Sequence, residues 1–291
     1  MILVIAIVVS WMVYDLTRSK MIITVDQNGL VLVDYGTING VFVGEHRNPV
    51  ITGSHAKGFY RDYLKTGNET SKRFLINNAD WYLDNILSKG NYSIYEYDFP
   101  YPPYNMPESG WHDGLAQSRM INVLIKTHEI TGDEKYLRGA ESLLNSFFVD
   151  VKDGGITYKT EDKGWWYEHY AHPDGLEPRV LNAHLMALRE IYLYYEYTNN
   201  PNAKILFDKG VDAAKNEIEY YDLNGYSYVD RLGRPAKASY HQMHINYLES
   251  LYEITGEEIF KKYYEKWEKC DSVCQILEKG FGDVNRLLFP S

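Results

Sequence analysis

Cysteine is almost absent from this 291-residue chain, which has only Cys270 and Cys274. Four residues apart on a helix, the two could pair only if the helix distorted. They provide no disulfide framework and cannot alone make a four-ligand zinc site. No glycine-rich phosphate loop and no metal-type cluster of ligands is present, so neither a metal nor a cofactor is expected. Positive charge is also scarce: 30 Lys and Arg stand against 40 Asp and Glu, a formal net charge of -10. A uniformly acidic surface repels nucleic acid, which is excluded as a partner, and an acidic ligand would need a local basic cluster. Long apolar runs are limited to Ile2 to Tyr14, followed by Asp15, Arg18 and Lys20. The run is shorter than the roughly 20 residues of a usual membrane span. It also lacks the basic start and small-residue cleavage site of a signal peptide. It is expected to be an uncleaved membrane anchor over residues 1–20, with a buried strand or helix as the alternative. Arg18 and Lys20 alone would favour a cytoplasmic body. The sequons Asn68-Glu69-Thr70 and Asn91-Tyr92-Ser93 suit an extracytoplasmic one, which is the expected location.

Tyrosine is abundant, with 27 residues in a chain that is 45% hydrophobic, enough for one good core. Most tyrosines should line helix interfaces, and some could wall a sugar-binding cleft. Residues 21–48 read as a short β region. Met21 to Val25 and Leu30 to Val33 flank Asp26-Gln27-Asn28-Gly29, a hairpin with an Asn-Gly turn, and Val41 to Val43 could add a third strand. From residue 49 to 291 the pattern is helical and repeats. Four segments each carry an apolar helix, a Thr-centred turn and a second helix, with turn threonines at 66, 131, 198 and 255. Gly or Asn closes the first helix, and acidic residues open the second where negative charge suits the dipole. Four helical hairpins of this length predict a mainly α protein, an α/α toroid that is complete or incomplete, with a small N-terminal β-hairpin.

The repeat also singles out positions. Gln117, His184 and His241 each stand 14 residues before their turn threonine, near the starts of three first-of-pair helices. Loops rich in Tyr, Trp and Gly precede those helices, at roughly 90–110, 150–178 and 222–239. Such loops on a rigid helical scaffold are where chemistry is usually placed.

The third loop contains Tyr226-Ser227-Tyr228-Val229-Asp230-Arg231, and the next helix opens with Tyr240-His241-Gln242-Met243-His244-Ile245-Asn246. Tyrosine and histidine transfer protons, and arginine grips carboxylates in a two-pronged fork. Arg231, Arg234, Lys237 and His241 provide a local basic cluster. The second loop carries Trp165-Trp166-Tyr167-Glu168-His169-Tyr170. Together these segments resemble the C-terminal catalytic domain of D-glucuronyl C5-epimerases, which convert glucuronate to iduronate in heparan-type chains. That family shows Trp-Tyr-Glu-Glu-Tyr, Tyr-x-x-Arg and Tyr-His-x-x-His-Ile-Asn segments in this order. Gly110-Trp111, Ala116-Gln117 and Val180-Leu181-Asn182 match further positions. The resemblance covers roughly 95–268, and more weakly the chain from 45.

The resemblance implies an isomerase with Tyr170, Tyr228, Tyr240 and Arg231 as catalytic groups. Substrate contacts are expected from Trp111, Gln117, Tyr167, His169, Arg179, Asn182, His241, His244 and Asn246. His169 stands where the family has Glu, so it either replaces that Glu or the role has moved. The family's large N-terminal β-rich region, which contributes to substrate binding and dimer formation, is here reduced to a short hairpin. The expected partners are a uronate-containing polysaccharide, the membrane through the N-terminal segment, and a second copy of the chain. The chemistry agrees. C5 of a uronate lies α to a carboxylate, and removing its proton needs a cation on that carboxylate, which Arg231 suits. Inversion needs a base and an acid on opposite faces, and a cation near a tyrosine would favour its phenolate. Alternatives are a polysaccharide lyase, which shares the first step, a glycan-binding module without catalysis, and a hydrolase using Asp113 and Glu108. His241 and His244, three apart on a helix, could be a metal pair but lack a clear third ligand.

Overall fold

A computed structural model describes residues 21–269. The apolar run at the N-terminus and both cysteines lie outside the described residues. Among the described residues, no helix is long and apolar enough to cross a membrane. The chain divides into two compact units. The first runs to Ile156 and takes back Tyr170–Leu176; the second holds Thr157–His169 and everything from Glu177 on.

In the first unit, β1 (Ile22–Val25) and β2 (Val31–Asp34) form the antiparallel hairpin expected from the Asn-Gly turn. Asp26 Oδ1 accepts from the Asn28 and Leu30 N–H groups, and Gly29 takes φ 79°. A Cβ on Gly29 would lie 2.3 Å from Phe74, so the turn sits directly on a helix. The third expected strand appears as β4 (Val41–Phe42), but it pairs with β3 (Thr37–Ile38); β5 (Glu45–His46) joins β2 instead.

Four helical hairpins follow, giving eight α-helices among the described residues and the mainly α class expected. The first unit holds α1 (Pro49–Thr66) with α2 (Glu69–Asn85) and α3 (Gly114–Thr131) with α4 (Glu134–Asn145). The second holds α5 (Leu181–Thr198) with α6 (Pro201–Glu217) and α7 (Ala238–Thr255) with α8 (Glu258–Glu268). Each turn uses the same chemistry. Thr66, Thr131, Thr198 and Thr255 donate back to the carbonyl four residues earlier at 2.6–2.7 Å. Each also accepts the N–H two residues later. Gly67, Gly132, Asn199 and Gly256 close the first helices in the left-handed conformation. Asn68, Asp133 and Asn200 then cap α2, α4 and α6 through their side chains.

Within a pair the helices differ in burial. α3 is buried on nearly every face, from Gly114 through Ile125, as suits a helix inside the core. α4 buries one stripe, Tyr136, Ala140, Leu143 and Leu144. The loops expected before α3, α5 and α7 are not structureless. Each contains a small antiparallel hairpin: β6 (Leu87–Ser88) with β7 (Ser93–Ile94), β8 (Thr157–Thr160) with β9 (Gly164–Tyr167), and β10 (Asp222–Leu223) with β11 (Tyr226–Ser227). Strands of two to four residues are too short to show a period of two in the sequence. Gly164, at φ 86°, lies where a Cβ would be 2.4 Å from the Lys209 carbonyl oxygen, so the tip of β8–β9 packs on the backbone of α6.

Candidate active site

Gln117, His184 and His241 are each the fourth residue of their helix, as the repeat requires. Each side chain grips the end of the strand hairpin just before that helix. Gln117 exchanges two amide hydrogen bonds with the Tyr95 backbone, both 3.2 Å. His184 Nδ1 accepts from the Tyr167 N–H at 3.0 Å, and its Nε2 lies 3.0 Å from the Gly210 carbonyl. His184 is therefore the Nε2–H tautomer. His241 Nδ1 meets Ser227 Oγ at 2.9 Å and its Nε2 faces the Trp267 carbonyl at 3.3 Å. Burial lowers the pKa of His184 to about 3 and that of His241 to about 4, so both are neutral. These three side chains staple strand hairpins to the helices that follow them. Their polar atoms already serve backbone groups and a buried hydroxyl.

His244, wholly buried, completes this network. Its Nδ1 lies 2.7 Å from the same Ser227 Oγ. A carbonyl can only accept, so His241 carries its proton on Nε2 and takes the Ser227 hydroxyl proton on Nδ1. Ser227 must then accept from His244 Nδ1–H. His244 Nε2 is left as a bare, buried lone pair with no hydrogen-bond partner among the described residues, and burial lowers the pKa of His244 to about 3. The pair is thus occupied with Ser227 rather than arranged as metal ligands. Among the described residues, no group of three or more His, Cys, Asp or Glu is placed to hold a metal ion.

In the first unit, Tyr170 lies in an aromatic stack. Its ring is 4.1 Å from Tyr104 and 5.0 Å from Tyr101, both nearly parallel, and tilts against Trp111 at 6.0 Å. Trp111 stacks on Tyr97 at 3.8 Å and donates Nε1–H to the Phe99 carbonyl. Backbone hydrogen bonds in both directions between His112 and Ala171 hold the Tyr170 segment to the start of α3. Burial first, then Tyr101, Tyr104 and Asp113, raise the Tyr170 phenol well above its ordinary range. Asp113 is the N-cap of α3, accepting the Leu115 N–H at 2.8 Å and the Tyr97 hydroxyl at 3.2 Å. Those contacts account for it without a hydrolytic role.

The second unit holds the remaining expected residues. Two backbone bonds join residues 178–181 to residues 229–231: Arg231 N–H to the Pro178 carbonyl, 2.8 Å, and Leu181 N–H to the Val229 carbonyl, 2.9 Å. That pairing sets Arg179 beside Arg231. Asp230 Oδ1 fixes the following turn by accepting the Leu232 and Arg234 N–H groups. Both guanidinium groups reach the buried carboxylate of Glu217, at the end of α6. Arg179 Nη1 donates to Oε1, and Arg231 Nη1 donates to Oε2 at 2.6 Å. These residues, with Thr160, Lys163, Glu177 and Tyr220, line an open pocket of about 310 Å³. It holds three cations and two carboxylates.

Arg179 has φ 46°, a sparsely populated conformation for a side-chain-bearing residue. The buried Glu168 carboxylate holds it there by accepting its N–H at 2.8 Å, while also accepting the His169 N–H at 2.7 Å. The Tyr221 hydroxyl donates to the Arg179 carbonyl at 2.6 Å. Tyr167 is a fully buried core residue whose hydroxyl donates to the Leu206 carbonyl. His169 and Tyr228 are half-buried, and Tyr240 is exposed in the first turn of α7. Asn246 lies on the exposed face of α7, accepting from Gln242 at 2.9 Å. Asn182 Oδ1 is buried with no donor among the described residues. Neither Tyr228 nor Tyr240 lines the arginine pocket. The sequence reading missed Glu217, Lys163, Tyr220 and the structural role of Glu168. Only Glu168 carried a signal, since it occupies the first Glu of the Trp-Tyr-Glu-Glu-Tyr segment.

Residues 89–269 match the family described as D-glucuronyl C5-epimerase C-terminus. An uncharacterized protein of Methanocaldococcus jannaschii is 30% identical over 264 residues, covering 84% of each chain. The D-glucuronyl C5-epimerase of Caenorhabditis elegans is 28% identical over 214 residues, covering 65% of this chain and 33% of that enzyme. The chain thus spans about a third of the length of that relative. Among solved structures, a GH76 alpha-mannanase of Bacteroides thetaiotaomicron superposes with a TM-score of 0.53 at 14% identity, covering 87% of this chain and 64% of that one. The last likeness is one of fold, the α/α toroid class read from the four hairpins. The match over residues 89–269, which takes in the Tyr170 stack and the arginine pair, establishes that this chain belongs to the D-glucuronyl C5-epimerase C-terminal family.

Proposed function

We propose that this protein is a uronate C5-epimerase acting within a polysaccharide, converting D-glucuronate to L-iduronate. The observation that carries the reading is the pair Arg179 and Arg231, which the fold brings to one carboxylate at the wall of an open pocket. A site built to hold two guanidinium groups near a carboxylate suits a substrate whose reacting carbon is α to one. Removing the C5 proton places a second negative charge on the substrate carboxylate. Arg231 stabilises that charge as it develops, in a two-pronged geometry that a lysine cannot reproduce.

The proposed proton carriers are the tyrosines that the resemblance to the family implies. Tyr170, held neutral by its buried aromatic stack, is the acid that returns a proton to C5. Tyr240, 38% exposed at the opening of α7, is the base, and Tyr228 supports it. His169, beside Tyr170 and anchored through its N–H to Glu168, stands where the family has Glu and takes part in the same transfer. Family membership supports the reaction class, and the arginine pair supports an acidic sugar.

Incubation with an unsulfated glucuronate polymer, followed by proton NMR of the sugar ring signals, tests the proposal. Appearance of iduronate is expected. An unsaturated, ultraviolet-absorbing product would make the protein a lyase instead, and tight binding without any product would make it a glycan-binding module.

A further inference from the structure

Glu217 sits between the two arginines that the proposed function uses, and nothing assigned above gives it a part in the reaction. Its side chain is only 7% exposed, against 31% for Arg231 and 17% for Arg179. A carboxylate so buried requires compensation, and each oxygen has one guanidinium. The two arginines are not held alike. Arg179 is fixed through its backbone by Glu168 and Tyr221, and its Nη2 also meets Glu177 at 3.2 Å. Arg231 depends on Glu217 alone for an ion pair among the described residues, and its guanidinium lies 4.0 Å over the Tyr220 ring.

Arginine can grip a carboxylate along either of two edges. The bond from Nη1 to Glu217 uses one donor of Arg231 and leaves the Nε and Nη2 edge complete. That edge meets no side-chain acceptor among the described residues, and Arg231 lines the pocket. The Tyr220 ring below and Glu217 at one corner together fix the plane and rotation of the guanidinium. We propose that Glu217 is a positioning residue: it holds Arg231 by one nitrogen so that the opposite edge is presented to the substrate carboxylate. The inference rests on the uronate reading, and it adds that orientation, rather than charge alone, is what the pocket supplies. Charge alone would be better served without Glu217, whose carboxylate offsets one of the three cations in the pocket.

The two effects of Glu217 on turnover and on binding are opposite in sign, so they separate. Glu217→Gln keeps the shape, removes the negative charge and turns an N–H toward one arginine. With Arg231 no longer fixed, kcat for C5 exchange on the glucuronate polymer should fall about 10–100-fold. The pocket gains one positive charge, so KM should stay level or fall, and binding should become more sensitive to salt. A residue with only a structural role would lower the melting temperature without this split. In an Arg231→Lys background, which has no fork to orient, Glu217→Gln should have little further effect on kcat; full additivity would overturn the proposal. If Glu217→Gln does not fold, Glu217→Asp carries the test, with charge kept but reach shortened: kcat should fall with KM unchanged, and an unchanged kcat would overturn it. Wild-type protein with no C5 exchange would sink the uronate reading itself. Wild-type exchange with an unsplit Glu217→Gln would sink only the role of Glu217.

Discussion

Acid should unfold the second unit before the first, and the buried histidines set the size of the effect. His184, His241 and His244 are neutral in the folded chain, with pKa values lowered from 6.5 to about 3, 4 and 3. In the unfolded chain they return to about 6.5. Between pH 6.5 and the folded value, the unfolded chain therefore binds protons that the folded chain refuses. Stability is complete above pH 6.5 and is lost as pH falls. From pH 7 to pH 5 each such histidine costs about 2 kcal/mol. Three of them remove about 6 kcal/mol, comparable to the whole stability of a typical domain. The first unit has one counterpart, His112, lowered to about 4, so it loses about 2 kcal/mol over the same range. Urea melts at a series of pH values would follow this through tryptophan fluorescence, since Trp166 stacks on His184 at 4.0 Å and Trp267 lies beside His241 and His244. His184→Gln is the informative variant, because Gln117 already does the same job in α3. It should lower the slope of stability against pH by about 1.4 kcal/mol per pH unit between pH 4 and 6. An unchanged slope in that variant would refute the assignment of His184 as a buried neutral staple.

Arg231→Lys keeps the charge and loses the fork, so turnover should remain impaired while the melting temperature changes little; wild-type kinetics would contradict carboxylate recognition by Arg231. Tyr170→Phe keeps the stack on Tyr101 and Tyr104 and removes only the hydroxyl, so melting should be close to wild type while turnover falls by about 10²–10⁴. Gly164→Ala should destabilise the protein by more than about 1 kcal/mol, since it combines φ 86° with a Cβ 2.4 Å from the Lys209 carbonyl oxygen; a melting curve matching wild type would disprove that approach.

The helical hairpins were legible because their turn chemistry is local. A threonine that bonds back four residues and a left-handed Gly or Asn lie together at each turn, and three of the four turns add a capping side chain, as at Thr131, Gly132 and Asp133. The strand hairpins before α3, α5 and α7 were not legible, because strands such as Asp222–Leu223 are too short to alternate. The repeat correctly placed Gln117, His184 and His241 at one position, but their stapling contacts were not legible. A histidine that lines a cleft and one that staples a hairpin give the same spacing, and only the partners Tyr167 and Ser227 distinguish them. Glu217 was illegible for another reason. It lies 38 residues from Arg179 and 14 from Arg231, and their meeting depends on the backbone pairing of residues 178–181 with 229–231.

Proton exchange in heavy water is the decisive assay for C5 chemistry, because it detects the chemical step without requiring net conversion. The protein is incubated with an unsulfated glucuronate polymer in deuterium oxide, and the C5 position is followed by NMR. Deuterium should enter at C5, iduronate should appear, and Arg231→Lys should lower both. A polymer that keeps its C5 protons through long incubation with folded protein would contradict C5 epimerisation.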